Sequence, residues 1–160
     1  MRVLGIDPGL ATIGFAVLDG NRGRPSYVRC GVIRTPAGQP LQRRLLTVAE
    51  DLSALIEEFH PEAMAIEKLY FNKNVTTGIP VAHARGVILM TAARFGLIVE
   101  EYSPQHVKMA VTGYGNAEKA QVMELTKQLL GLAALPRPDD AADALAVAVC
   151  HVHTSRSLMR

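Results

Sequence analysis

The sequence predicts an α/β fold: a mixed five-stranded sheet, three antiparallel strands followed by parallel ones, flanked by helices on both faces. Three observations lead there. The first 35 residues are β-biased apolar segments joined by short turns containing glycine and proline. Beyond them, helical apolar stripes alternate with short runs that are apolar throughout, the pattern of strands buried on both faces. The chain has 160 residues, 49% apolar and 20% charged, enough for one domain with its own core, and it is read as a single domain over 1–160.

The elements follow in order. RVLGID (2–7) is a strand closed by the turn pair Pro8-Gly9, and ATIGFAVLD (11–19) is a second. GNRGRP (20–25) suits a hairpin connection to a third strand, SYVRCGVIRT (26–35). Three strands joined by short turns must pair antiparallel. Apolar residues at 41, 45, 48, 52, 55, 56 and 59 form a helical stripe that stops before Pro61. AMAIEK (63–68) is a short apolar run ending in an acid, a central strand. From Ile79 to Phe95 the pattern is helical but apolar on every side, interrupted only by His83, Arg85, Thr91 and Arg94. Such a helix needs cover on more than one side. The sheet can supply one, and a second copy of the chain the other, which points to a homodimer; a helix sandwiched within the monomer is the alternative. LIVEEY (97–102) is the fifth strand. Ser103-Pro104 opens a short helix through Val111, and helices at about 117–131 and 138–153 complete the chain.

Composition excludes several classes. No apolar run reaches the ~18–20 residues of a membrane span, and the amino-terminal residues lack a secretory layout, so a soluble cytoplasmic protein is expected. Cys30 and Cys150 sit in apolar contexts without a CxxC pattern and read as reduced thiols, neither bridge nor zinc site. The net charge of +2 hides an uneven distribution. Gly20–Ala49 carries six arginines (22, 24, 29, 34, 43, 44) and no acid, and Lys68–Val99 carries two lysines and two arginines, again with no acid. A basic surface around a small acidic centre suits a protein that grips a polyanion, although solvated arginine-rich strands give the same numbers.

Four acids stand apart from helix surfaces. Asp7 ends the first strand after Val3-Leu4-Gly5-Ile6, and Glu67 ends the fourth after Ala65-Ile66. A crossover can return the fourth strand beside the first, bringing both carboxylates to one edge. An ionised carboxylate is costly to bury unpaired, so each needs a partner, in the simplest case a lysine or arginine. Asp140 and Asp143 lie at i and i+3 near the start of the last helix and share a face. Complementing the helix dipole explains Asp139 and Asp140, but not Asp143, which precedes the apolar Ala144-Leu145-Ala146-Val147. If the four meet, unit charges ~5 Å apart at an effective dielectric of ~20 repel by about 3 kcal/mol, and cations are required. All-carboxylate ligation selects Mg²⁺ or Mn²⁺, and a pair of ions would form the clamp used in phosphoryl displacement. Setting the four aside takes the net charge from +2 to +6, a surface for a nucleic-acid backbone.

GIDPGLATIGFAVLD, AIEKLYFNKN, ARG at 84–86, QHVK, GNAEKAQV and DDAADALAVAVCHVH, in this order, resemble the RuvC family of Holliday-junction resolvases from Leu4 to about His153. GIDPG alone is shared with sugar kinases and actin-like ATPases; the ordered set is specific. The resemblance implies a ribonuclease H-like fold and a homodimer that binds four-way DNA junctions. It also implies metal-dependent nicking of two opposing strands, in recombination and repair, and association with the branch-migration proteins RuvA and RuvB. It implies that Asp7, Glu67, Asp140 and Asp143 are the acidic metal ligands, Asp140 occupying a position that varies in the family. Lys108 and Lys119 match its basic residues near the scissile phosphate, where a lysine would offset developing charge.

Tyr70 and Phe71 lie between Lys68, Lys73 and Asn74, either as base-stacking residues at an opened junction, with Tyr70 matching the family's wedge aromatic, or tucked under the loop as a satellite core. Lys73 and Arg85 are further phosphate-binding candidates, Arg85 alternatively crossing the dimer interface. The histidines at 60, 83, 106, 151 and 153 are isolated or on different faces and read as structural or surface residues. A related ribonuclease H-like nuclease acting on RNA is the enzymatic alternative. An actin-like ATPase would need two such domains. A pure binding module would gain nothing from acids facing phosphates.

Overall fold

The computed structural model describes residues 1–70 and 75–158. Five strands form one sheet: β1 (Arg2–Asp7), β2 (Thr12–Asn21), β3 (Arg24–Arg34), β4 (Ala63–Glu67) and β5 (Ile98–Tyr102). The spatial order is β3-β2-β1-β4-β5, with β1–β2 and β2–β3 antiparallel and β1–β4 and β4–β5 parallel. The expected mixed sheet is thus present, with β4 returned beside β1. Helices α1 (Leu41–Phe59) and α2 (Val75–Arg94) cover one face. The other carries α3 (Pro104–Thr112), α4 (Lys119–Leu129) and α5 (Asp139–Leu158). Among the described residues no helix is long and apolar enough to cross a membrane. Cys30 and Cys150 are both free thiols.

Strand alternation divides the core into two. Leu4, Ile6, Ile13, Phe15 and Val17 point into the layer of α1 and α2, where Val48, Leu52, Ile56, Ile88 and Ala92 meet them. Val3, Ala16, Leu18 and Ala65 point to the other side, against Ala144, Leu145, Ala148 and Val149 of α5. Large residues fill the first layer and small ones the second, so α5 sits unusually close to the sheet. A β-carbon on Gly5 would lie 2.8 Å from Cβ of Ala148 and would collide with the carbonyl oxygen of Ala144. One on Gly14 would collide with the carbonyl oxygen of Asp140. These two glycines let the first turns of α5 rest on β1 and β2.

Element ends differ from the sequence reading in informative ways. The β2–β3 hairpin is tighter than GNRGRP suggests: pairing continues to Asn21 and Arg24, around Arg22 (φ 53) and Gly23 (φ 78). Two left-handed residues make the turn whose twist matches a β-hairpin. Helix α2 begins at Val75, ahead of Pro80, and α5 runs on to Leu158. Pro80 is the sixth residue of α2, past the four N–H groups that a helix start leaves without partners, so the helix continues through it at the cost of one intrahelical hydrogen bond. Of α2's apolar surface, Ala84, Ile88 and Ala92 are buried, whereas Ile79 and Met90 remain about half exposed, at 48% and 51%.

The glycine contacts generate the first prediction. Gly5→Ala is expected to cost about 1–3 kcal/mol in urea denaturation, because the added carbon meets backbone that cannot move aside. Gly38→Ala, where nothing lies within 4 Å, should stay within about 0.5 kcal/mol of the parent. Equal values for the two would refute close α5–sheet packing.

Candidate active site

Strand register brings the first two acids together. Ile6 of β1 lies opposite Ile66 of β4, so the next residue on each strand is an acid, Asp7 and Glu67. The two isoleucines face α1 and α2, and alternation turns both carboxylates to the face of α5. Gly14 is the β2 partner of Asp7, and the Asp140 backbone lies directly over it. One face of the first turn of α5 therefore presents Asp140 and Asp143 above the ends of β1 and β4. The close contact at Gly14 aligns helix and strand.

The electrostatics of the four acids are strained. Burial, reinforced by the charges of Asp143, Asp140 and Glu67, pushes the Asp7 carboxyl up to about 8. Its side chain is in hydrogen-bonding contact with that of Asp140, a contact two carboxyls can use only when one carries a proton. Burial and Asp143 raise Glu67 as well, against the opposing pull of Lys119 and Lys108. Asp143 is raised by burial and restrained by Lys119, whose Nζ lies 3.4 Å from each carboxylate oxygen. One lysine contact against four carboxylates leaves the cluster under-neutralised.

Lys108 and Lys119 reach the site from separate helices. Ser103 Oγ accepts the His106 backbone N–H at 3.1 Å, capping α3. Glu118 and Gln121 cap α4 reciprocally, so that it begins at Lys119. Together with Glu67, Asp143 and the apolar Val107 and Val122, the lysines line a cleft of about 320 Å³. Two contacts tie α3 and β5 to α5: the buried Tyr102 hydroxyl and His151 Nδ1 are 2.7 Å apart, and the partly buried His153 Nδ1 and the Ala110 carbonyl oxygen 2.8 Å. These histidines are structural, as their spacing suggested, but their partners were not legible because they come from distant elements.

The remaining candidates are dispersed. Tyr70 follows β4 and is 54% exposed, not tucked into a satellite core. Phe71 and Lys73 lie outside the described residues. Arg85 departs from its expectation as a phosphate ligand: its guanidinium is largely buried and donates to Glu101 Oε1 at 2.6 Å, on the face of the sheet opposite the acids. The helix-to-strand ion pair engages one guanidinium nitrogen, and among the described residues Arg85 Nε is buried without a hydrogen-bond partner.

The donor set fits a hard divalent cation: four carboxylates, no thiolate or imidazole, and mutual repulsion that a cation would relieve. Among the described residues no three acidic, histidine or cysteine side chains already converge on one point, so the carboxylates would draw together around an ion. The proton preference of Asp7 sets the pH behaviour. With a folded value near 8 against about 3.9 unfolded, its contribution to stability is full below pH ~4 and is lost as pH rises through ~8. At pH 8 without metal, Asp7→Asn is therefore expected to melt about 3–8 °C higher than the parent, with a gap that narrows toward pH 4 or on adding Mg²⁺. An equal or lower Tm at pH 8 would show that Asp7 is not strained.

Comparison with known proteins places this geometry. A family model described as crossover junction endodeoxyribonuclease RuvC matches residues 3–151. The enzyme of that name from Chloroflexus aurantiacus is 49% identical over 160 residues, covering 100% of this chain and 98% of the relative. That from Syntrophomonas wolfei is 52% identical over 156 residues, covering 98% and 91%. Among solved structures, Thermus thermophilus RuvC in complex with a Holliday junction substrate superposes with a TM-score of 0.92 at 32% identity, over 98% of this chain and 96% of that one. Relatives this similar along the whole polypeptide, one of them superposing at a TM-score of 0.92, establish that the chain belongs to the RuvC family and has its ribonuclease H-like fold.

Proposed function

We propose that this chain is a Holliday-junction resolvase that binds four-way DNA junctions and nicks two opposing strands by divalent-metal-dependent phosphodiester hydrolysis. The observation that carries the reading is the gathering of Asp7, Glu67, Asp140 and Asp143 at one sheet edge, with Lys108 and Lys119 across the cleft. The four carboxylates would hold two Mg²⁺ ions, with Mn²⁺ able to substitute. When bound, such a pair activates water and stabilises the leaving oxygen of an in-line displacement. Lys119, 3.4 Å from Asp143, would be free to pair with a non-bridging phosphate oxygen when that carboxylate holds a cation. Lys108 supports the same charge from α3. The apolar wall of the cleft, Val107 and Val122, limits water around the reacting phosphate.

The chain works as one nuclease domain and acts as a homodimer. The exposed Ile79 and Met90 on α2 give a second copy an apolar surface to cover, and paired cleavage of a two-fold symmetric junction calls for two centres. Exposed Tyr70, with Phe71 and Lys73 following it in sequence, supplies the stacking contact at the opened branch point. Association with RuvA and RuvB belongs to the same reading. Junction-specific relatives leave the RNA-directed alternative without support.

Incubation with a synthetic mobile four-way junction and Mg²⁺ should give paired nicks at symmetric positions, and none without metal. Asp7→Asn should lose at least about 100-fold in cleavage rate while junction affinity stays within about threefold; unchanged cutting would discard the site. Tyr70→Ala should slow cleavage about 10-fold, consistent with one lost stacking contact, at an unchanged Tm.

A further inference from the structure

Five of the six arginines in the acid-free stretch Gly20–Ala49 fall into two groups, with Arg29 between them in the middle of β3, opposite Val17. Arg22 and Arg24 lie at the hairpin tip, at the far end of the sheet from Asp7. Arg34 ends β3 at the near end, where it pairs with Thr12, two residues from the Gly14 that pairs with Asp7. Two strand spacings of ~4.8 Å and two residues of ~3.4 Å put its Cα about 12 Å from that of Asp7. Arg43 and Arg44 follow in the first turn of α1, which contains no acid.

This near group is a built structure. Thr35 is buried; its N–H donates to the Ala11 carbonyl oxygen at 3.0 Å and its hydroxyl to that of Leu10 at 2.6 Å. The same hydroxyl accepts Arg44 Nε at 3.0 Å. Arg44 is thereby fixed to the turn that follows Asp7, and among the described residues its two terminal nitrogens have no protein acceptor. Arg34 and Arg43 are exposed, and no ion pair among the described residues includes any of the three. Among the described residues, three arginines without an ion pair thus lie toward β3: Arg34 at the strand end, and Arg43 and Arg44 on α1. That helix packs on the face away from α5 but is tied by Thr35 to the turn after Asp7, while Lys108 and Lys119 line the cleft with Glu67 and Asp143.

We propose that Arg34, Arg43 and Arg44 form a clamp for the DNA backbone, holding a phosphate one or two nucleotides from the bond that is cut, on the β3 side of the acidic centre. This inference rests on the junction-nuclease reading and adds a direction to it. The cleaved strand crosses the sheet edge from the lysines, over the carboxylates, to the arginines. Guanidinium recognises the phosphate through paired N–H donors, and Thr35 prevents Arg44 from folding back onto the acids.

The test measures junction affinity in EDTA between about 50 and 200 mM salt for three proteins. Replacing Arg34, Arg43 and Arg44 by glutamine should flatten the plot of log Kd against log salt by about 2–3. Arg22→Gln with Arg24→Gln should change it by less than about 1. A neutral methylphosphonate is then placed singly along the cleaved strand. At one position beside the scissile bond it should weaken the parent about 3- to 10-fold and the triple variant not at all. Arg34→Gln with Arg43→Gln breaks no internal hydrogen bond and keeps the test open if the triple variant folds poorly. Equal slope changes at the near and far sites, or a methylphosphonate effect that persists without the arginines, would overturn the clamp. Failure of the parent to bind or cut a junction would remove the nuclease reading and the clamp with it; cutting by the parent beside an unchanged slope in the variants removes the clamp alone.

Discussion

Repulsion among four carboxylates is the constraint around which the rest of the molecule is arranged. The fold holds Asp7, Glu67, Asp140 and Asp143 close enough that burial and mutual charge drive Asp7 far above the ordinary range of a carboxyl. An arrangement of this kind opposes folding and persists only because other contacts over-determine it. Packing supplies them. The β1 and β4 acids are fixed by the central strands of the sheet, and the α5 acids by a helix whose alanines lie against glycines. Replacing either glycine would ease the charge and lose the alignment at the same time.

The two sides of the sheet divide the labour. The layer of α1 and α2 is built mainly from large side chains, among them leucine, isoleucine, phenylalanine and methionine. The layer of α5 is built from alanine, glycine and valine, which sets backbone-to-backbone distance rather than bulk. Holding carboxylates from a helix and two strands beside one another needs this second kind of packing. Tyr102, buried and bonded to His151, serves the same end from the sheet edge. Its strand partner is Glu67, so the tyrosine couples the β4 acid to the helix that carries the other two.

Much of this was legible in the amino-acid order. Strand-terminal acids in apolar runs are conspicuous because burial makes them costly, and the i, i+3 aspartates declared a shared face. The five strands and their mixed directions followed from turn lengths and apolar periodicity. What escaped were contacts between elements distant in sequence: the Arg85–Glu101 pair that takes Arg85 away from the DNA role expected of it, and the Thr35 bridge from Arg44 to the turn after Asp7. A single side chain carries no mark of its long-range partner. The start of α2 was also missed: the helical pattern was read from Ile79, because Val75-Thr76-Thr77-Gly78 has weak helix propensity, yet the helix begins at Val75.

The acidic centre joins the first strand to the last helix, and this has a consequence for synthesis. Until α5 has left the ribosome, a nascent chain carries Asp7 and Glu67 but neither Asp140 nor Asp143, and the Gly5–Ala65 face of its sheet stays uncovered. Incomplete translation products therefore have a basic stretch without the complete acidic cluster, which is assembled only when α5 closes over the sheet.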